Sequence, residues 1–373
     1  MNRFLIYLIL INTLTNMVSI TPRILIAGGD TGTILGMALA ITTGIVLTYF
    51  LVILFSRFPG QGLPEILKAY TPKWFAFPVL LFMAAAWYVA GLFTLMIYTF
   101  IILRFLTPEM SIYTIVLTFA LVVTYGVLMA TRNILYMSEV IFILVVPFIV
   151  FVQMKGYLDP SLNWDYIRIA LMQVNQLPDY GAFTSSLFIV IGTANLVIFN
   201  RAFTTLKKPT LKGMAILTVA FMYILATTYL LPIGFGGFDS LENALYPWIM
   251  TSDSIRMKFG IVERIVFIFI GSFLALGVVS MIIHWHVSIH LFSSVFQFKR
   301  LKWKSYNLTL PLFIVFFWIV AMTLTKRMTV EGLYRTIEMY DDFVLPAMLI
   351  LLVGSLLLAK KGASSKWREN KKY

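Results

Sequence analysis

"FIVIGTANLVIFN", residues 188–200, is an apolar run interrupted near its middle by Gly192, Thr193 and Asn195. Glycine loses more backbone freedom than other residues when it enters a helix. Short polar side chains offer the backbone alternative hydrogen bonds, so this segment is expected to form a broken helix. A matching interruption lies near the start of the chain, where Asn12, Thr13, Thr15, Asn16 and Ser19 precede Pro22.

The setting of these two breaks decides their meaning. With mean hydropathy +0.90, 60% hydrophobic residues and only 12% charged residues, the chain reads as a polytopic α-helical membrane protein. Apolar length predicts about ten transmembrane helices, at 4–26, 33–55, 76–103, 111–130, 134–154, 183–200, 211–231, 261–290, 308–325 and 343–359. Arg3 followed by an apolar run resembles a signal peptide, but no small-x-small cleavage site follows, so the first segment is read as a retained span. The breaks then fall in spans one and six, the first members of a five-plus-five division. Breaks at matching places in two halves point to an inverted-repeat transporter fold, in which unwound backbone meets a ligand at the membrane midplane. Such backbone is tolerated at that depth only where it lines a cavity. The expected organisation is one transmembrane domain, 1–359, with repeat one at about 1–155 and repeat two at about 180–359. A basic cytoplasmic tail, 360–373, follows.

A net charge of +13 would suggest nucleic acid in a soluble domain, but in a membrane protein the distribution of charge carries the information. With a cytoplasmic amino terminus, 19 of the 29 Lys and Arg fall on the inner side, while 13 of the 16 acids fall on the outer side. This asymmetry predicts that both termini are cytoplasmic. The absence of cysteine removes disulfides and thiolate chemistry.

The inner loop between spans two and three reads "RFPGQGLPEILKAYTPKW", residues 57–74. Its prolines and glycines end the preceding helix. It resembles the arginine-phenylalanine-proline-glycine element of the B-subunit family of bacterial spore germinant receptors, the GerAB-type endospore germination permeases. That family is a branch of the amino acid–polyamine–organocation transporter superfamily. "PRILIAGGD", "TRNILYMSEVIFILVVPF", "LKKPTLKGM" and "YPWIMTSDSIRMKFGIVERIVFIFI" agree in order and spacing, from about residue 4 to residue 358. The chain departs from the family pattern after span one, where only Asp30 of a glutamine-aspartate-alanine-tryptophan element is present, and in span six, which lacks the usual glutamate. The resemblance implies a LeuT-like five-plus-five repeat in the spore inner membrane. It also implies partnership with an A-type membrane subunit and a C-type lipoprotein subunit.

Candidate ligand-binding residues are Thr15, Asn16 and Ser19 on span one, Gly192, Thr193 and Asn195 on span six, and Trp87 and Tyr88 on span three, placed to close a cavity. The bland alternative is that the Asn, Thr and Ser side chains only hydrogen-bond between helices. Glu263 and Arg264 begin span eight and are expected at the outer vestibule or as a local surface pair, and Glu139 is expected beside Arg132. His284, His286 and His290 have helical spacing, but two imidazoles do not close a metal site, and their place is expected to be the cytoplasmic interface. No metal, cofactor, nucleic-acid partner or enzyme activity is expected, and no G-x-S-x-G context occurs.

Two functions remain open. One is a germinant receptor subunit that binds an amino acid or similar polar metabolite and triggers germination. The other is a proton- or sodium-coupled amino acid permease. A scaffold with no ligand leaves the matched breaks unexplained. No aspartate lies inside any expected span, which argues against proton coupling.

Overall fold

The computed structural model describes residues 2–28, 32–256, 263–296, 302–303, 306–307 and 309–354. Asp30 and the tail 360–373, both named above, lie outside the described residues, as does the end of the tenth expected span. The fold is helical apart from a two-residue ribbon pairing Lys302–Trp303 with Tyr306–Asn307.

The first span is two helices, α1 (Arg3–Asn16) and α2 (Thr21–Ala27), bent by 57°. The bend follows from the local sequence. Asn16 Nδ2 donates to the Asn12 carbonyl and Ser19 Oγ donates to the Asn16 carbonyl, so side chains take over acceptors where the ladder fails. Pro22 then sits in the first turn of α2, where its missing N–H costs nothing. α3 (Thr33–Ser56) returns to the inner side, and the short α4 (Leu63–Tyr70) leads to α5 (Lys73–Phe105). α6 (Ile112–Val127) and α7 (Thr131–Tyr157) complete the first half.

After a connecting helix, α8 (Trp164–Met172), the order repeats. α9 (Tyr180–Val190) breaks into a 3-10 turn, Gly192–Asn195, and α10 (Leu196–Phe199), with a 48° bend across this span. A long helix, α11 (Leu211–Leu241), a short one, α12 (Pro247–Ser254), and a long one, α13 (Ile265–Val295), follow. α14 (Thr309–Arg327), the connecting helix α15 (Val330–Asp342) and a helical segment at 344–354 end the described chain. Broken span, long helix, short helix, long helix is thus the order in both halves. Because each half has five spans, the second starts from the opposite face and is inverted.

Among the described residues, six helices are long and apolar enough to cross a membrane singly, and the two bent pairs bring the number to eight. α6 is a shorter apolar helix, and 344–354 enters the tenth expected span. The apolar windows of α5 and α13 are 72% and 67% buried, against 22% for α7 and 17% for α14. α5 and α13 are therefore the inner helices, and α7 and α14 turn most of their apolar surface to lipid. α1 packs on α13, α7, α9 and the 3-10 turn, so the two breaks meet in the core.

The inner loop after α3 is fastened to the end of span six. Asn200 Nδ2 donates to the carbonyls of Phe58 and Gln61 at 2.7 Å each, and to that of Phe55 at 3.3 Å. Gly60, with φ +73°, donates its N–H to the Phe203 carbonyl. Glu65 accepts from the Gly62 N–H at 2.8 Å and pairs with Arg201 at 2.7 Å. The lone glutamate of this loop thus caps α4 and binds it to the second half.

Two expectations are corrected. Glu139 pairs with Arg3 at 3.4 Å, and Arg132 instead donates to the Tyr136 hydroxyl, because the first helix passes across the start of α7. His284 and His286 are not at an interface. α13 runs on to Val295, which places His284 eleven residues, or roughly 16 Å, from its inner end, near mid-membrane.

Candidate functional site

The break in span six is a place of close approach. A Cβ on Gly192 would lie 2.9 Å from the Ile9 Cα and from the Asn12 Cβ, so only glycine lets the two broken spans touch here. The helical ladder stops at Val190, which leaves carbonyls of the last α9 turn without partners. Asn12 Nδ2 meets two of them, those of Phe188 and Ile189, at 3.0 Å each. Asn195 folds back to donate to the Gly192 carbonyl at 3.2 Å, and its Oδ1 accepts from Trp87 Nε1 at 2.7 Å.

These groups line a cavity of about 70 Å³ between α5, α13, the span-six break and the 340–348 region. Its polar lining comes from Asn12, Trp87, Asn195, His284 and Tyr340, and Phe82, Met83, Phe188 and Met348 are among its apolar walls. None of the lining residues is Asp, Glu, Lys or Arg. At about 10–15 Å³ per water-sized group, the cavity has room for roughly five such groups. His284 Nδ1 faces the Ser280 carbonyl at 2.7 Å. A carbonyl only accepts, so Nδ1 carries the hydrogen and Nε2 of the neutral ring is left as an acceptor. Asn12 uses its amide donor on backbone, and Tyr340 donates to the Ala86 carbonyl at 3.1 Å. Asn195 keeps a second Nδ2 hydrogen; what otherwise remains toward the cavity is acceptor capacity, which suits a ligand that presents N–H or O–H groups.

A second, smaller cavity of about 20 Å³ lies on the outer side and is lined by Asn16, Ser19, Thr21, Thr94 and Ile337. Phe188, Ala90 and Tyr340 line both cavities, so they stand between them. Tyr340 packs edge-on against Phe93 and Phe188, with ring centroids 5.5 and 5.9 Å away.

The structure divides the residues singled out from sequence. Trp87, Gly192 and Asn195 line the main cavity, and Asn16 and Ser19 line the outer one. Thr193 lines neither; it is fully buried and shares a hydrogen bond with Thr48 at 2.8 Å. Thr15 is also buried outside both cavities, with no partner for its Oγ1. Tyr88 turns away from the cavity, donating to the Phe317 carbonyl at 2.8 Å and stacking on Trp285. Glu263 and Arg264 are exposed, and Arg264 pairs with Asp253 of α12 at 2.6 Å rather than with its neighbour. His284 and Tyr340 were missed as lining residues. Counting along α13 from its two ends places the first at mid-membrane. Tyr340 lies in an amphipathic connecting helix and gives no such signal.

His286 bridges two helices, its ring nitrogens facing the Val127 carbonyl and the Thr131 hydroxyl at 3.0 Å each. Among the described residues, no group of three or more His, Asp and Glu is placed to hold a metal ion.

A pair of broken helices meeting over a partly polar cavity defines a multi-pass membrane protein of the transporter-like kind. The chain belongs to the spore germination protein family: the profile of that family, Spore_permease, matches residues 2–329. No curated protein matches the sequence. Among solved structures, the chain is similar to a Na⁺-coupled sialic acid symporter in its substrate-bound outward-open state. The identity is 14% and the TM-score 0.46, over 91% of this chain and 79% of that one.

Proposed function

We propose that the protein is the membrane subunit of a spore nutrient germinant receptor, that it binds a small germinant in the cavity between spans one, three, six and eight, and that occupancy triggers germination. The observation that carries this reading is the cavity itself. It sits where both broken spans meet, and Asn12, Trp87, Asn195, His284 and Tyr340 converge on it. Its size and spare acceptors favour an amino acid or a similarly small polar metabolite over a bulky or anionic one. A receptor needs only a ligand that prefers one conformation, since that preference shifts the population presented to partners.

The partners in this reading are an A-type membrane subunit and a C-type lipoprotein, and the location is the spore inner membrane with both termini cytoplasmic. The side assignment is supported by the positive-inside count and by pairs that join like sides. Arg201 with Glu65 and Arg3 with Glu139 meet on the inner side, and Arg264 meets Asp253 on the outer side.

The test uses spores lacking the native gene. Restoring this chain together with its cognate A and C partners should restore germination to a nutrient, and the chain alone should not. In proteoliposomes the isolated protein should show little ion-driven accumulation of that nutrient. Robust uphill uptake by the isolated chain, with no partner needed for any phenotype, would make it an amino acid permease instead.

A further inference from the structure

Asp341, one turn before the helix that enters the tenth span, is only 1% exposed, and neither oxygen of its carboxyl group has a hydrogen-bond partner. A desolvated carboxylate without a partner is among the least favourable groups a fold can bury. Its surroundings add no compensation. On its own helix, Glu338 and Asp342 are like charges, and Tyr340 points into the cavities. From α9 it meets the Ser185 hydroxyl, which lies beside it but outside normal hydrogen-bond geometry. Thr184 of α9 is bonded to Asp342, and Asp179, which caps α9, acts on Glu338. Arg23 of α2 stacks over the Tyr334 ring at 5.1 Å and faces Glu338, and no salt bridge to Asp341 occurs among the described residues. α5 contributes Phe93 and the Ala86 carbonyl to Tyr340, neither of them charged.

A neutral carboxylic acid resolves this arrangement. Ser185 donates its hydrogen to Thr21 Oγ1 at 3.2 Å, so it offers an Asp341 carboxylate little compensation. A metal ion would require a shell of ligands, and among the described residues no group of three or more His, Asp and Glu is placed to hold one.

We propose that Asp341 is a proton-binding site that fastens α15 over the cavity: the packed helix holds the acid neutral, and loss of its proton to the outer solvent releases the helix. The lever is the adjacent residue. Tyr340 separates the two cavities and is anchored to Ala86, so moving Asp341 outward withdraws Tyr340 from between them. Burial raises the Asp341 pKa well above the usual carboxylate range. Asp342 and Glu338 push the same way, and the Ser185 hydroxyl opposes them. Once α15 lifts, the group returns to its ordinary value. Between the two values lifting releases one proton, so the ratio of lifted to packed forms rises with pH by up to about tenfold per unit. Below the ordinary carboxylate range there is no dependence. This inference does not depend on whether the cavity serves a receptor or a transporter.

The absence of native cysteine makes the test direct. S19C places a thiol at the outer cavity, and D239C places one on an exposed outer position. In nanodiscs, labelling of S19C by a bulky impermeant thiol reagent, divided by that of D239C to cancel thiol ionisation, should rise with pH above the ordinary carboxylate range, with a slope of up to about tenfold per unit. The same ratio in S19C/D341N should stay low and flat. Infrared spectra of the unsubstituted protein, with and without ¹³C-labelled aspartate, should show a protonated aspartate carbonyl band at neutral pH. This second measurement decides the matter if D341N does not accumulate. A flat ratio in S19C, a D341N ratio that keeps the slope, or no protonated aspartate at neutral pH would each overturn the proposal.

Discussion

Replacing Gly192 with alanine tests the idea that the site exists because two broken helices touch. The new Cβ would lie 2.9 Å from the Ile9 Cα, 2.9 Å from the Asn12 Cβ and 3.0 Å from the Ile9 carbonyl oxygen. Carbon atoms in good contact are about 3.5–4.0 Å apart, so α1 and the 3-10 turn must separate by roughly 0.6–1.1 Å. Two of the three crowded atoms are backbone and cannot rotate away. Overpacking of this kind costs about 1–3 kcal/mol. The same movement stretches the two Asn12 bonds to Phe188 and Ile189, each worth about 1 kcal/mol. The expected loss is therefore about 2–4 kcal/mol, a large part of the ~5–15 kcal/mol that holds a typical fold together. The assay is denaturant unfolding of the purified protein in detergent, followed through its tryptophans, alongside the nutrient dose–response. Gly271 serves as the internal control, because nothing lies within 4 Å of a Cβ built there. Gly271→Ala in the second turn of α13 should be neutral or stabilising by up to about 1 kcal/mol. If Gly192→Ala unfolds at the same denaturant concentration as Gly271→Ala, the close approach is not what shapes the break, and the account of the cavity fails with it.

Two further outcomes follow from the geometry. Trp87→Phe removes the Nε1–H that holds Asn195 and should raise the nutrient concentration for half-maximal response about tenfold, whereas Tyr88→Phe, which loses only its bond to the Phe317 carbonyl, should lower stability by about 1 kcal/mol and leave the dose–response in place; the reverse pattern would move the site to the other face of α5. For orientation, cysteine at the exposed Lys208 should resist an impermeant thiol reagent in intact cells while cysteine at the exposed Asp239 reacts, and the opposite polarity would invert every side assignment.

The sequence alone determined that this is a multi-pass helical membrane protein broken at spans one and six. Both conclusions rest on local properties: apolar length, and short polar or glycine residues that cannot sustain a helix at Asn16–Ser19 and Gly192–Asn195. The end of the second span at the 57–74 loop was visible for the same reason, since proline and glycine act where they stand, whereas the bonds that fasten this loop to Asn200 and Arg201 were not. Which side chains of the broken segments face a cavity was not visible. Thr193 and Asn195 are two residues apart, yet one is sealed against Thr48 and the other faces the cavity, because a 3-10 turn reverses direction over that distance. Trp87 and Tyr88 are adjacent and point to opposite sides of α5. The connecting helix α15 was the least legible part. Tyr340 and Asp341 lie in a connecting helix whose composition reads as surface, and only its packing against α9 and α5 buries them. Burial at such a position is set by what the rest of the chain brings against it, and no local pattern records that.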